Sequence, residues 1–273
     1  ELDEVDELVV HPAMDDGGLS VGAAMAATIE HQPRLAPRLV APLANVYLGP
    51  GPTERDIEVA IEAAGVRARR EEDIHHAIAV RLSGGHVVAR VHGRMEYGPR
   101  ALGHRSILYQ ANDPSVNDWL NERLQRTEFM PFAPATLVEH AGTRYENLEG
   151  IRDTARFMTV TVNCSRAMAE ESPGVVHVDG TARPQLVDRD TAPDLHAILG
   201  AYHRRTGLPS LVNTSFNMHD EPIVCTPDDA LRAFQTGRLD WLALGDYMIE
   251  RADGAPGSRD AAGSASLPSP RAP

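Results

Sequence analysis

The sequence predicts an α/β (α+β) fold, and three observations carry that expectation. Segments with apolar residues at helical spacing alternate with short apolar runs of strand character, and the loops between them are brief. The composition, 42% hydrophobic and 24% charged over 273 residues with a mean hydropathy of -0.29, is that of a globular chain long enough to bury a sizeable core. No apolar run approaches the roughly 18–20 residues that cross a bilayer; the longest are stretches such as Leu8–Val10 and Ile78–Val80.

Taken in order, Leu8–Val10 reads as a short strand behind an acidic lead-in, and the first residue, Glu1 rather than Met, suggests a piece of a longer polypeptide. Asp15-Asp16-Gly17-Gly18 makes a turn, and the small apolar residues from Leu19 to Ala27 predict a helix buried against a sheet. Prolines 33, 37, 42, 50 and 52 mark a linker or domain crossing, with the boundary near residue 45. Thr53 with Asp56 three residues on starts a helix that ends at Gly65, because the pair can cap each other's backbone N–H groups. A helix over Ile74–Leu82, a strand over Val87–Val91 and a helix over Asn117–Arg126 follow. Strands are expected at 132–138, 157–162, 175–178 and 208–212, and helices near 191–205 and 227–236. The stretch 251–273, rich in Ala, Gly, Ser and Pro without an apolar period, is expected to be a disordered tail. No internal repeat is visible.

All 26 basic residues are Arg. Lysine-dependent phosphate loops, Schiff bases and Lys general bases are therefore excluded, and an anion must be met by Arg forks, backbone N–H groups or helix N-termini. A net charge of -13 argues against a broad nucleic-acid surface, whose affinity rests on neutralising phosphates. Cys164 and Cys225 are the only cysteines and lack CxxC spacing, so neither a disulfide framework nor a thiolate zinc cluster follows. A cytoplasmic setting is the expectation.

Four stretches hold the polar chemistry. Gly93–Ser106 contains three glycines after the Val87–Val91 strand together with Arg100 and Arg105; it fits an oxyanion cradle, and equally a surface turn of solvated arginines. Arg123–Pro134 runs from a helix end bearing Arg123 and Arg126 into a stiff Pro/Phe segment, a clamp or simply a Pro-delimited helix stop. His177–Gln185 brings Arg183 to a turn just before Pro184, where an Asp-Gly hairpin is the alternative. Asn213–His219 places Ser215 and Asn217 after the apolar strand, facing a ligand or closing an Asx turn.

Together the motifs GPRALGHRSIL, RTEFMPFAP, HVDGTARPQ and NTSFNMHDEPIV resemble the C-terminal part of the O-carbamoyltransferases of antibiotic and nodulation-factor biosynthesis, the tobramycin carbamoyltransferase type; the resemblance runs from about Val10 to Met248. It implies a YrdC-like α/β domain over 46–250, preceded in 1–45 by the last strand, turn and helix of a TsaD-like domain of the actin and sugar-kinase type. The YrdC-like half would take carbamoyl phosphate and MgATP to carbamoyl adenylate, and the TsaD-like half would pass the carbamoyl group to a small-molecule hydroxyl. The runner-up is a non-catalytic nucleotide- or RNA-binding YrdC-like module.

By the same resemblance Arg100, Arg105, Arg126 and Arg183 are phosphate and carbamate ligands, with Ser215 and Asn217 as a Ser-x-Asn element beside them. Arg100, Arg183 and Asn217, with Gly17 and Gly18, would contact the nucleotide. Asp16 matches a carboxylate ligand of a catalytic Fe2+ or Zn2+, an ion expected only in the complete two-domain enzyme because the His-x-x-x-His pair that completes the site is absent here and His75-His76 lacks its spacing. Gln125 and Met130 stand where many relatives carry Lys or Arg. The expected partners are the hydroxyl acceptor and the missing TsaD-like region or an equivalent subunit, with neither a membrane nor nucleic acid among them.

Overall fold

The computed structural model describes residues 5–39, 43–126 and 131–252. The expected tail from residue 253 and part of the RTEFMPFAP run, Met130 included, lie outside the described residues. The described strands are β1 (Ala68–Arg70), β2 (Val88–Val91), β3 (Arg105–Gln110), β4 (Ala133–Leu137), β5 (Val162–Asn163), β6 (Thr181–Ala182), β7 (Gln185–Val187), β8 (Ser210–Ser215), β9 (Trp241–Leu244) and β10 (Tyr247–Glu250). The helices are α1 (Asp16–His31), α2 (Ala36–Leu39), α3 (Glu54–Ala64), α4 (Ile74–Ser83), α5 (Val116–Arg123), α6 (Ala141–Arg144), α7 (Arg166–Glu171), α8 (Pro193–Thr206) and α9 (Pro227–Thr236).

Eight strands form one mixed sheet in the order β1-β10-β9-β2-β3-β8-β4-β7, parallel at β2/β9 and β4/β7 and antiparallel elsewhere; β5 and β6 pair separately. Period-two alternation sends successive side chains to opposite faces. Ala89, Val91, Ile107, Tyr109 and Leu242 pack into a core shared with α3, α5 and α9. Val88, Leu108, Ala135, Leu211 and Ala243 pack into a second core with α4 and α8. Covering both faces explains why β2 and β4 are buried along their whole lengths, Arg90 and Thr136 included.

Local chemistry sets the helix ends. Thr53 and Asp56 form the expected reciprocal capping box of α3, which closes on Gly65 at φ 62°. Thr226 and Asp229 repeat the box at α9, and α8 starts with Pro193 and ends on left-handed Gly207. The sheet has two edges. At one, β1 carries exposed Arg69 and Arg70, ion-paired to Glu71 at 3.3 Å and Glu54 at 2.7 Å. At the other, β7 is wholly buried.

Several expectations are corrected. Leu8–Val10 is no strand: its backbone bonds to a turn instead, Leu8 N–H to the Gly150 carbonyl (2.9 Å) and Val10 N–H to Thr154 Oγ1 (3.3 Å). The helix over Leu19–Ala27 exists within α1 but buries no residue, so the expected close packing against a sheet is not formed among the described residues. The strand expected at 157–162 shrinks to Val162–Asn163, because a 3-10 turn at Thr154–Arg156 and left-handed Met158 (φ 57°) break the extended run. At 175–178 there is a 3-10 turn over Pro173–Val175 in place of a strand; Gly174 N–H bonds to the Ala111 carbonyl, and a Cβ there would stand 2.4 Å from the Asp113 carbonyl oxygen. The Asn117–Arg126 helix stops at Arg123, since Gln125 is left-handed at φ 56°.

Candidate anion-binding site

The loop between β2 and β3 is built around one carboxylate. Glu96 is buried, and its Oε1 accepts from the N–H groups of Leu102 (2.7 Å), His104 (2.8 Å) and Arg105 (3.3 Å). Arg105, fully buried, gives its guanidinium to carbonyls: Nη1 to His92 (2.9 Å) and His104 (3.1 Å), Nη2 to Gly93 (3.2 Å) and Pro50 (3.4 Å). Its donors therefore hold the loop in shape. Arg90, buried on the α4/α8 face, donates to the Gly103 carbonyl at 2.6 Å. Burial pushes the His104 imidazole down to about 3, and the Tyr47 ring stacks on it at 3.7 Å.

Two buried amides then tie three of the four motifs together. Asn213 on β8 donates to Gln185 Oε1 (2.8 Å) and to the Ala101 carbonyl (3.3 Å), while Gln185 on β7 donates to the Leu102 carbonyl (2.8 Å). A buried chain of three side-chain hydrogen bonds of this kind permits little drift. It brings Arg100, one residue before Ala101, to Arg183, two residues before Gln185. Among the described residues neither guanidinium has a hydrogen bond or ion pair, and Arg100 Nε is buried without a partner. Burial pushes Arg183 down to about 10, with the Arg100 charge adding to the shift. Burial also lowers Arg100, opposed by the Asp15 carboxylate. Two half-buried cations held together with unspent donors favour an anion between them, because a charged partner would relieve both the desolvation and the repulsion.

Arg126 is placed by β8. Its Nη1 donates to Thr214 Oγ1 (3.1 Å) and its Nη2 to the Ser215 carbonyl (3.3 Å) and Oγ (3.4 Å), and burial lowers its pKa. Ser215 Oγ donates to Asn217 Oδ1 at 2.6 Å, and Asn217 Nδ2 in turn donates to the carbonyls of Met218 and Glu221. Arg126, Ser215 and Asn217 thus form one unit at the end of β8, which pairs with the start of β3 through Ser106 and Ser215.

The leading segment packs on the same loop. Gly98 sits at φ 106°, and a Cβ there would fall 2.8 Å from the Pro12 carbonyl oxygen, so only glycine lets Pro12 and Ala13 come this close. Asp15 caps α1 through Gly17 N–H at 3.2 Å. Gly17 and Gly18 lie in the first turn of α1, where the open side of Gly18 is filled by the Ala13 carbonyl. Asp16 is exposed and joins no group of three ligating side chains among the described residues. One such group does exist elsewhere: His75, His92 and Asp194.

Sequence pattern does not single out Glu96, Gln185, Asn213 or Arg90. The first three lie inside the motif stretches, and a polar residue interrupting a buried strand, as Asn213 does after Leu211-Val212, is the signal that points to one of them. His75, His92 and Asp194 are too far apart in the chain for spacing to join them.

The sequence model described as the carbamoyltransferase C-terminus matches residues 79–251. The nodulation protein NolO of Bradyrhizobium diazoefficiens is 37% identical over 250 residues, which cover 90% of this chain and 45% of that protein. The 3'-hydroxymethylcephem-O-carbamoyltransferase of Streptomyces clavuligerus is 31% identical over 261 residues, covering 93% of this chain and 46% of that enzyme. The chain thus spans slightly under half the length of these relatives. Among solved structures, that of T. kodakarensis HypF aligns with a TM-score of 0.46 and 20% identity, over 65% of this chain and 22% of that one.

Proposed function

The chain belongs to the carbamoyltransferase C-terminus family, and from that premise we propose that it is the activating part of an O-carbamoyltransferase, a YrdC-like unit over 46–250 that converts carbamoyl phosphate and MgATP to carbamoyl adenylate. The observation that carries this reading is the Arg100–Arg183 pair, two half-buried guanidiniums that make no hydrogen bond or ion pair among the described residues, fixed through Gln185 and Asn213. Residues 1–45 would be the end of a TsaD-like unit that transfers the carbamoyl group to a small-molecule hydroxyl acceptor.

In this scheme Arg100 and Arg183 grip the oxygens of carbamoyl phosphate by their planar forks. Hydrolytic loss of phosphate leaves carbamate. A carbamate oxygen then attacks the α-phosphorus of ATP, the bond from that phosphorus to the β-bridging oxygen breaks, and pyrophosphate leaves. Charge grows on phosphoryl oxygens throughout, so fixed cations lower the barrier without a proton-transfer residue. Arg126, oriented by Thr214 and Ser215, is the third cation offered to that charge. Arg105 acts one step back, by holding the loop that carries Arg100. Mg2+ enters with ATP.

The transition-metal ion that the family resemblance assigns to Asp16 is not matched by the residues present, since a lone exposed carboxylate supplies one of the three or four ligands such an ion needs. No step is routed through it. The test is ATP–pyrophosphate isotope exchange: exchange that requires carbamoyl phosphate is expected from the folded chain. Its absence, with nucleotide still bound, would leave a non-catalytic nucleotide-binding module.

A further inference from the structure

We propose that His75, His92 and Asp194 form a binding site for one divalent transition cation of the class that prefers imidazole and carboxylate ligands, with Zn2+ its representative. The site lies on the α4/α8 side of the sheet and stands independently of the carbamoyl-activation reading.

The three residues come from three elements. His75 is in the first turn of α4, His92 follows the last residue of β2, and Asp194 is the second residue of α8. His75 Nε2 is 3.2 Å from Asp194 Oδ1, His92 Nε2 is 3.1 Å from Asp194 Oδ2, and one ligand atom from each residue lies within 4.8 Å of the other two. Atoms held at about 2.0–2.2 Å from a common Zn2+ sit roughly 3.3 Å from one another, so a small adjustment admits the ion.

A carboxylate that simply accepts hydrogen bonds from two imidazoles would bring the same atoms together. The convergence of three ligand atoms from three elements favours the cation. His75 Nε2 is buried 3.2 Å from the carboxylate without a well-directed hydrogen bond to it. His104 stands behind the group. Its Nδ1 is 2.7 Å from the Arg94 carbonyl oxygen, which can only accept, so Nδ1 carries the proton. Its Nε2 lies 3.8 Å from Asp194 Oδ2, with the ring held by Tyr47. The Arg94 carbonyl is the kind of partner that orients a ligating or near-ligating histidine. A bound ion would pin the start of α4, the end of β2 and the start of α8 to the base of the loop that carries Arg100.

The test uses the full chain, stripped with a chelator, then titrated with ZnCl2 by calorimetry and with CoCl2 by visible absorption. One ion per chain is expected, with the visible bands of low-coordinate Co2+ and a Tm raised by Zn2+. His75→Gln and Asp194→Asn should each weaken Zn2+ binding by more than about 10-fold, the least that loss of even an outer partner of a metal ligand costs. Asp16→Ala should leave it unchanged. Each variant's cooperative melt without metal checks that it folds, and His75→Gln, on the rim of α4, is the variant expected to fold normally. No Zn2+ uptake by the wild-type chain, or uptake unaltered in both ligand variants, would overturn the site. Uptake lost only in Asp16→Ala would place the ion elsewhere and overturn it equally.

Discussion

Arg183 is costly to keep. Burial and the neighbouring Arg100 both oppose its charge, pushing it down to about 10, and no carboxylate among the described residues answers it. A residue selected for packing would not be held this way, and the expected signature is a split between stability and binding. Arg183→Ala should leave the Tm of the free protein unchanged or raise it, while affinity for carbamoyl phosphate falls roughly 10-fold or more, since a charged hydrogen bond contributes about 1.5–3 kcal/mol. Arg183→Lys keeps the charge and loses the fork, so it should bind between the two. Melting and calorimetric titration of the same three samples read both quantities; undiminished affinity in Arg183→Ala removes it from the site. Arg105 teaches the opposite lesson. As sequence the two arginines look alike, each in a Gly- or Pro-bearing turn, and only the four carbonyls around Arg105 separate a structural arginine from a ligand-facing one.

Elements were legible where their signals are local. Thr53/Asp56 and Pro227 with Asp228-Asp229 mark helix starts by side-chain chemistry within one turn, and both helices form at the expected places. No strand forms at 175–178 because Val175 and Val176 enter the core from a turn held by Gly174 against Ala111, a long-range contact that a run of valines does not reveal. β3 lay hidden inside the motif stretch: Arg105 and Ser106 begin a strand whose polar residues are buried. The α9 box allows a direct measurement. Thr226→Ala removes the acceptor for Asp229 N–H at 3.1 Å, and urea unfolding should show a loss of about 1 kcal/mol, within the usual 0.5–2 for an N-cap. A loss indistinguishable from zero would mean that Pro227 and the packed face of α9 determine the helix start without the cap.

At the scale of the whole molecule, the α/β class was readable from alternating elements, whereas strand order was not, because β2 beside β9 and β3 beside β8 join segments 100 or more residues apart and leave no trace in local pattern. The candidate site shares that limit: four motifs can be named one by one, but the Gln185–Asn213–Leu102 link that joins three of them is purely tertiary. The sheet edges have a consequence of another kind. An open strand edge is a template on which a second chain can add its own strand, and a concentrated protein solution tests every such edge continually. Here β7 is buried, and β1 offers three residues, two of them arginines engaged with Glu54 and Glu71. Replacing Arg70 by Val should therefore lower the concentration at which light scattering first rises, with little effect on the melting of dilute protein. The guanidiniums on β1 act in this respect as a colloidal stabiliser, keeping separate molecules from continuing one another's sheets.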